Sequence, residues 1–133
     1  MQGKIVEDEM IKLLLVDDQS IVRQDLRRRL LLEPDIAVVG EANNGEQALE
    51  LVESLAPDIV LMDVEMTGMD GITATTAIRD NLPQITVVMM SIHDDVHTRE
   101  LALGAGAAAF VEKRGAVEML LETIRQLTSP GRT

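Results

Sequence analysis

Acidic side chains follow two of the short apolar runs in this sequence. Asp17 and Asp18 come directly after Val16, and Asp63 comes directly after Met62. Three carboxylates held close together repel one another, and the repulsion raises their pKa values unless a cation lies between them. Their oxygen atoms suit a hard divalent cation, and Mg²⁺ is typically bound by few carboxylates and several waters. If the fold brings these residues together, they predict a magnesium site.

Two later residues add a hydroxyl and a positive charge to this set. Ser91 follows the fourth apolar run, and Lys113 lies just beyond the fifth. A metal ion, an ammonium group and a hydroxyl around a phosphoryl group supply the electrostatic stabilisation on which phosphoryl transfer mostly depends. Aspartate can act as the nucleophile in such a reaction. Asp63 is the candidate because it stands alone at its strand end and precedes a loop in which Gly68 and Gly71 allow close approach.

Each of these residues also has an ordinary structural explanation. An aspartate at the end of a strand often caps the next helix. A lysine near a loop is commonly solvated, and a serine commonly belongs to a turn. The functional interpretation therefore depends on all five side chains meeting at one place, which is a question of fold.

Apolar runs rich in branched side chains alternate with longer amphipathic stretches along the chain. The runs have the composition of buried strands, and they cover residues 11–16, 36–40, 59–62, 85–90 and 107–111. The stretches between them have helix signals: apolar residues at helical spacing, a capping residue at the start and, after the first three, a proline. The predicted caps are Ser20, Asn44, Asp70 and either His93 or Asp94, with a fifth helix over residues 116–127.

Strands and helices that alternate in this way predict an α/β fold with a parallel sheet covered by helices on both faces. The fold class is a doubly wound, five-stranded parallel sheet of order 2-1-3-4-5, flavodoxin-like, with five helices. In that order the first strand lies beside the third, and the fourth and fifth follow on the same side. The five candidate residues would then meet at the carboxyl edge of the sheet, where such folds bind ligands.

The composition excludes several classes of function. The chain has 133 residues, enough for one self-supporting domain, and 12 basic against 23 acidic residues give a formal net charge of -11. This charge argues against direct binding to nucleic acid or to anionic membranes. The run Arg27-Arg28-Arg29, with Arg23, is interpreted as a solvated helix face. Cysteine is absent, which suits a reducing, cytoplasmic location, and no apolar run is long enough to span a membrane.

Taken together, these motifs resemble the receiver domain of bacterial two-component response regulators, over about residues 11–127. The resemblance is carried by Leu14-Leu15-Val16-Asp17-Asp18, Val60-Leu61-Met62-Asp63, Met69-Asp70-Gly71, Ser91 and Phe110-Val111-Glu112-Lys113. Two further segments, residues 41–48 and 91–95, resemble the subfamily whose output domains are helix-turn-helix transcription regulators.

The resemblance implies a phosphorylation-activated signalling switch. Asp63 would accept a phosphoryl group from a sensor histidine kinase or a histidine phosphotransfer protein, without turnover of a free substrate. Asp18, Asp63 and the backbone carbonyl of Glu65 would ligate Mg²⁺, or Mn²⁺ in its place, and Asp17 would act mainly through a bound water. Lys113 would bind the phosphoryl oxygens.

The resemblance also implies how the signal leaves the site. Ser91 and Phe110 occupy the coupled switch positions. The surface formed by the fourth helix, fifth strand and fifth helix would change on phosphorylation, and it could hold a homodimer. Glu65 and His93 are expected to line the water path to the acyl phosphate and to set its lifetime. The arginines of the first helix could face an acidic surface of the kinase.

Two positions depart from the usual family pattern. Thr67 stands where proline is usual, so the loop that supports the metal-binding carbonyl is expected to be less rigid. Ile92 follows Ser91 where smaller residues are common, and it is expected to narrow the access to Asp63.

The predicted organisation is a polar leader over residues 1–10, a receiver domain over residues 11–128, and a linker stub or frayed end over residues 129–133. We interpret the chain as a fragment whose missing C-terminal output domain binds DNA, in preference to a stand-alone receiver. Two alternatives remain open: a receiver-like binding module that is not phosphorylated, and a phosphatase of the haloacid dehalogenase type. The phosphatase alternative rests on Asp63-Val64-Glu65-Met66-Thr67, which resembles the nucleophile loop of that class.

Overall fold

Strands and helices alternate along the whole of the described chain. A computed structural model describes residues 10–93 and 95–128, so most of the predicted leader and all of the predicted linker stub lie outside it. The strands are β1 (Ile11–Val16), β2 (Ile36–Ala42), β3 (Ile59–Asp63), β4 (Thr86–Ser91) and β5 (Ala109–Glu112). The helices are α1 (Ser20–Leu30), α2 (Gly45–Leu55), α3 (Gly71–Asn81), α4 (Val96–Gly104) and α5 (Val117–Thr128).

The strands form one parallel sheet in the order β2-β1-β3-β4-β5, which confirms the predicted fold class. Successive residues of β1 point to opposite faces: Leu14 and Val16 pack in one apolar cluster, Leu13 and Leu15 in the other. The first cluster includes residues of α2, α3 and α4, and the second includes residues of α1 and α5. Both faces of the sheet are therefore covered, which explains why the strands are almost continuously apolar.

Six strand boundaries differ from the prediction by one or two residues. β2 continues to Ala42, β3 to Asp63 and β5 to Glu112, β4 covers Thr86–Ser91 instead of residues 85–90, and β5 begins at Ala109 instead of residue 107. The last difference has a local cause, because the Ala107 N–H donates to the Ala102 carbonyl at 3.2 Å and so closes the end of α4. Gly106 adopts a φ of 114°, which ends the helix and frees the chain to enter the sheet.

The helix caps are only partly as predicted. Asn44 and Asp70 cap α2 and α3, each accepting a backbone N–H three residues later at 2.8 Å. The prediction for Ser20 is wrong: Gln19 is the N-cap of α1, and its N–H is bound by Asp17 Oδ1 at 2.9 Å. α4 is capped by Asp95, not by His93, and Asp94 lies outside the described residues. Among the helices described, none is long and apolar enough to cross a membrane.

Candidate functional site

Three aspartates meet at the carboxyl edge of the sheet. Val16 of β1 pairs with Met62 of β3, so the residues that follow them lie on neighbouring strand ends. One carboxylate oxygen from each of Asp17, Asp18 and Asp63 lies within 4.8 Å of the other two. Asp17 and Asp63 are buried, whereas Asp18 is exposed. The acidic cluster is therefore assembled, and it opens to solvent on the Asp18 side.

Lys113 reaches this cluster from the loop after β5. Its Nζ lies 2.7 Å from Asp17 Oδ2 and 3.1 Å from Asp63 Oδ2, and its side chain is only 11% exposed. Its backbone N–H donates to the Ser91 carbonyl at 2.8 Å, which fixes the start of the loop against β4. One ammonium group thus bridges two buried carboxylates that would otherwise repel each other.

Burial is the main influence on the acidity of Asp63. It raises the pKa of this carboxyl to about 6, with a further increase from the charge of Asp17 and an opposing effect of Lys113. Burial also acts to lower the pKa of Lys113, but the contacts with Asp17 and Asp63 outweigh it, and the pKa of the ammonium lies above its usual value. At neutral pH Asp63 is therefore ionised at an energetic cost, which an added cation would relieve.

The donor set of the cluster fits a hard divalent cation. Asp17 Oδ2 is buried and, among the described residues, accepts no aligned hydrogen bond, although the Lys113 ammonium is close. One ammonium is shared between the two buried carboxylates, and a divalent cation would relieve the repulsion that remains between them. Carboxylate oxygens are the ligands that Mg²⁺ prefers. The side chains that could hold such an ion are those of Asp17, Asp18 and Asp63.

The loop after β3 is attached to the acidic cluster by hydrogen bonds. Thr67 donates its backbone N–H and its hydroxyl to Asp18 Oδ2, at 3.1 and 3.3 Å. The Glu65 N–H donates to Asp63 Oδ1 at 3.3 Å. A proline at position 67 would lack the N–H that makes the first bond. Thr67 therefore anchors the loop to Asp18 by a means that a proline could not provide.

Glu65 and His93 face each other at the solvent side of the site. His93 Nε2 lies 3.3 Å from Glu65 Oε2, and both side chains are about half exposed. Each residue lies two positions beyond a strand end, Asp63 on β3 and Ser91 on β4, and these strands are neighbours. Ile92, expected to narrow the access to Asp63, is exposed. The contact of Glu65 with His93 joins the two loops that border the acidic cluster.

The two residues predicted to form the switch are buried on neighbouring strands. Ser91 has no exposed surface, and its hydroxyl accepts the His93 backbone N–H at 2.9 Å. Phe110 is also buried, and the Arg99 guanidinium of α4 lies 4.8 Å from the centre of its ring, within cation–π distance. In the sheet Phe110 pairs with Met89 and not with Ser91. Ser91 lies two residues beyond that partner on β4, so it is on the same face of the sheet as Met89.

Gly71 lies against the backbone of Asp63. A Cβ at this position would be 2.1 Å from the Asp63 carbonyl oxygen and 2.8 Å from Met89 Cε. The Gly71 N–H donates to the Val64 carbonyl at 2.9 Å, so the two segments are held together here. The close approach that Gly71 allows is thus that of the Asp63 backbone.

We expect Gly71→Ala to destabilise the domain by at least about 2 kcal/mol, because a rigid carbonyl would have to move to admit the methyl group. The free energy of unfolding in urea measures this effect. Gly104→Ala is the control, since a Cβ at Gly104 would meet no atom within 4 Å. Equal destabilisation by the two substitutions would contradict the steric argument.

Arg23 is not the solvated arginine that the charge pattern suggested. Its side chain is 17% exposed, and its Nε lies 3.1 Å from Glu41 Oε1. Its Nη1 donates to the Asp17 carbonyl oxygen. Arg27 contacts the other Glu41 oxygen at 3.0 Å. The interpretation as a solvated face is therefore wrong for Arg23. The sequence feature that could have indicated the shared contact with Glu41 is the four-residue spacing, which places Arg23 and Arg27 on one side of α1.

The fold and the site together define a class of protein. A doubly wound parallel sheet with three aspartates and a lysine at its carboxyl edge is the architecture of signal-receiver domains. Residues 13–125 match the family described as the response regulator receiver domain, and the chain belongs to that family. Members of this family work in phosphorylation-dependent two-component signalling, and receiver domains bind Mg²⁺ at an aspartate cluster such as the one described above.

Characterised relatives are similar over most of this chain. Response regulator GacA of Pseudomonas aeruginosa is 38% identical over 118 residues, which cover 89% of this chain and 55% of that protein. The nitrate/nitrite response regulator protein NarL of Escherichia coli is 36% identical over 118 residues, with the same two coverages. The chain spans about half the length of the curated relatives it matches.

Solved structures show the same architecture. The signal receiver domain of the putative response regulator NarL from Mycobacterium tuberculosis superposes with a TM-score of 0.81 at 34% identity, covering 88% of this chain and 98% of that one. A DNA-binding response regulator of the LuxR family from Staphylococcus aureus gives a TM-score of 0.83 at 29% identity, covering 89% and 98%.

Proposed function

We propose that Asp63 is the residue of this domain that accepts a phosphoryl group, from a phosphohistidine on a histidine kinase or a histidine phosphotransfer protein. The observation that carries the proposal is the bridge made by Lys113, whose ammonium contacts the buried carboxylates of Asp63 and Asp17 at once. A lysine held beside the nucleophile is placed to receive the oxygens of an incoming phosphoryl group. Burial also raises the pKa of Asp63, as expected of a nucleophilic carboxylate kept in a partly desolvated site.

In the proposed reaction an oxygen of Asp63 attacks the phosphorus atom. The new O–P bond forms as the N–P bond of the phosphohistidine breaks, and the electron pair of that bond leaves with the imidazole. Lys113 is close enough to move from the Asp63 carboxylate to the phosphoryl oxygens, where its charge offsets theirs. When bound by Asp17, Asp18, Asp63 and the Glu65 carbonyl, Mg²⁺ would neutralise charge on the same oxygens, and Mn²⁺ could replace it.

The proposed output begins at Ser91 and Phe110 and ends at the surface of α4, β5 and α5. Val96 and Met119 on that surface are 72% and 67% exposed, which supports its use as a homodimer interface. The relatives are response regulators, and the neighbour from Staphylococcus aureus is described as DNA-binding. This supports a whole protein in which the receiver domain controls an output domain that binds DNA. The receiver domain itself, with its acidic charge, does not contact nucleic acid in this proposal.

Phosphorylation by a small donor tests the proposal. With Mg²⁺ and acetyl phosphate, the intact mass of the protein should increase by one phosphoryl group, which hydroxylamine removes. Asp63→Asn should abolish the increase, whereas Asp25→Asn, which removes an exposed carboxylate of α1, should not. Rapid multiple turnover of phosphate esters would favour a phosphatase of the haloacid dehalogenase type. Binding of Mg²⁺ without any mass increase would favour the unphosphorylated binding module.

The contact between Glu65 and His93 predicts an effect on the lifetime of the acyl phosphate. We expect Glu65→Ala and His93→Ala each to speed dephosphorylation by up to about fivefold, because an exposed polar contact of this kind is worth at most about 1 kcal/mol. The double variant should be no faster than the single ones, since either change removes the same contact. Loss of the phosphoryl mass with time after donor removal measures the rate. Unchanged rates in both single variants would discard this role.

A further inference from the structure

The peptide group that joins Asp17 to Asp18 is held by a side chain from outside the acidic cluster. Arg23, one turn into α1, donates through Nη1 to the Asp17 carbonyl oxygen. The same guanidinium contacts Glu41 Oε1 of β2 through Nε at 3.1 Å. A single planar group therefore connects α1, the end of β1 and the end of β2.

This peptide group determines the direction of Asp18. Asp17 itself is fixed by other bonds: the Asp17 N–H donates to the Ala42 carbonyl at 3.1 Å, and Asp17 Oδ1 accepts the Gln19 N–H. Asp18 is exposed, and the described hydrogen bonds to its carboxylate both come from Thr67. A change in the plane of the Asp17–Asp18 peptide would thus rotate the Asp18 side chain against only these two bonds from Thr67.

We propose that Arg23, held in place by Glu41, is a positioning residue for the cation site: it fixes the Asp17–Asp18 peptide so that both carboxylates face one ion. The inference rests on the proposed function, since it assumes that these aspartates bind a divalent cation. Arginine is required because its rigid fork can donate to a carbonyl and a carboxylate at once, which the single ammonium of lysine cannot do in the same geometry. Arg27 contacts the second oxygen of Glu41 at 3.0 Å, but its side chain is half exposed and none of the described bonds joins it to either aspartate.

If Arg23 acted through its charge alone, its removal would change the Mg²⁺ affinity in the opposite direction. A positive charge beside an acidic site repels a divalent cation, so removal of the Arg23 charge without any change in geometry would strengthen Mg²⁺ binding. Loss of a group that orients metal ligands weakens binding instead, typically by about tenfold or more. The direction of the change in affinity therefore separates the two roles.

Calorimetric titration with Mg²⁺ alone, without a phosphoryl donor, tests the inference. We expect Arg23→Gln and Arg23→Lys each to bind Mg²⁺ about tenfold more weakly than the parent. Arg27→Gln is the matched control, because Arg27 contacts Glu41 from the same helix but has no contact with the Asp17 carbonyl among the bonds described. It should bind Mg²⁺ within about twofold of the parent or more tightly.

Hydrogen exchange in the metal-free protein gives a second readout. The Gln19 amide donates to Asp17 Oδ1 across the peptide that Arg23 holds, so its exchange should be faster in Arg23→Gln and unchanged in Arg27→Gln. If Arg23→Gln does not fold, Arg23→Lys serves in its place, since it keeps the positive charge but not the fork of donors. Mg²⁺ affinity equal to or greater than that of the parent in the folded Arg23 variant would overturn the inference.

The outcomes for the two proposals are distinguishable. A parent that binds Mg²⁺ but is never phosphorylated would contradict the proposed function, and the Mg²⁺ titrations would still decide the role of Arg23. A parent that is phosphorylated, with Arg23 variants that bind Mg²⁺ as it does, would contradict the role of Arg23 alone. A parent that binds no Mg²⁺ would overturn both.

Discussion

Between about pH 4.5 and pH 7, without metal, the stability advantage of Asp63→Asn over the parent should grow by about 2 kcal/mol. The pKa of Asp63 is raised to about 6, first by burial and then by the charge of Asp17. The folded parent therefore keeps a proton over a range in which the unfolded chain has lost it. This contribution to stability is present at low pH and is lost as the pH rises through about 6. The asparagine variant has no such proton to lose.

Urea unfolding in EDTA at several pH values measures the difference between the two proteins. Asp25→Asn is the control, because it removes a carboxylate from the exposed surface of α1 and should give a difference that changes little with pH. Added Mg²⁺ should stabilise the parent more than Asp63→Asn at pH 7, since the variant lacks one of the three carboxylates. A difference between parent and Asp63→Asn that is constant with pH would show that Asp63 is not held in a desolvated site.

The sheet order and the acidic cluster could be predicted together because one depends on the other. Alternation of buried runs with amphipathic stretches admits few topologies, and the order 2-1-3-4-5 brings the residues after β1, β3 and β5 to one edge. The caps Asn44 and Asp70 could also be predicted, because each bond joins residues only three apart in sequence. These helix caps, which depend on residues close in sequence, and the acidic cluster, which depends on position at a strand end, could thus be predicted from the sequence.

Features that depend on contacts between residues distant in sequence could not be predicted. Ser20 was a reasonable cap for α1, but the carboxylate of Asp17 binds the Gln19 N–H, so the helix begins without a side-chain cap on its own first turn. The start of β5 was misplaced because Ala107 bonds back to α4. Arg23 was misread because a count of charges cannot show that Glu41, which pairs with Leu15 across the sheet, lies beside it. Each case required knowledge of a contact across the fold.

Removal of the Lys113 charge is expected to have the largest effect on stability. Lys113→Met keeps an unbranched side chain, one atom shorter, but leaves two buried carboxylates facing each other without a cation. Breaking a buried ion pair in this way typically costs about 3 kcal/mol or more, because the remaining charge is left uncompensated. We expect a loss of this size at pH 7.5 in EDTA, measured by urea unfolding. The loss should shrink as the pH falls, since protonation of Asp63 removes the repulsion.

A double variant isolates the cause. Lys113→Met combined with Asp63→Asn leaves one buried carboxylate instead of two, so it should recover much of the lost stability, and the two effects should be clearly non-additive.

The same geometry predicts opposite changes in two properties of Lys113→Met. Mg²⁺ should bind more tightly, because the ammonium no longer repels it from the oxygens that both contact, while phosphorylation by acetyl phosphate should become slower, because no mobile charge remains for the phosphoryl oxygens. Weaker Mg²⁺ binding in Lys113→Met would mean that the lysine organises the cation site instead of sharing its ligands.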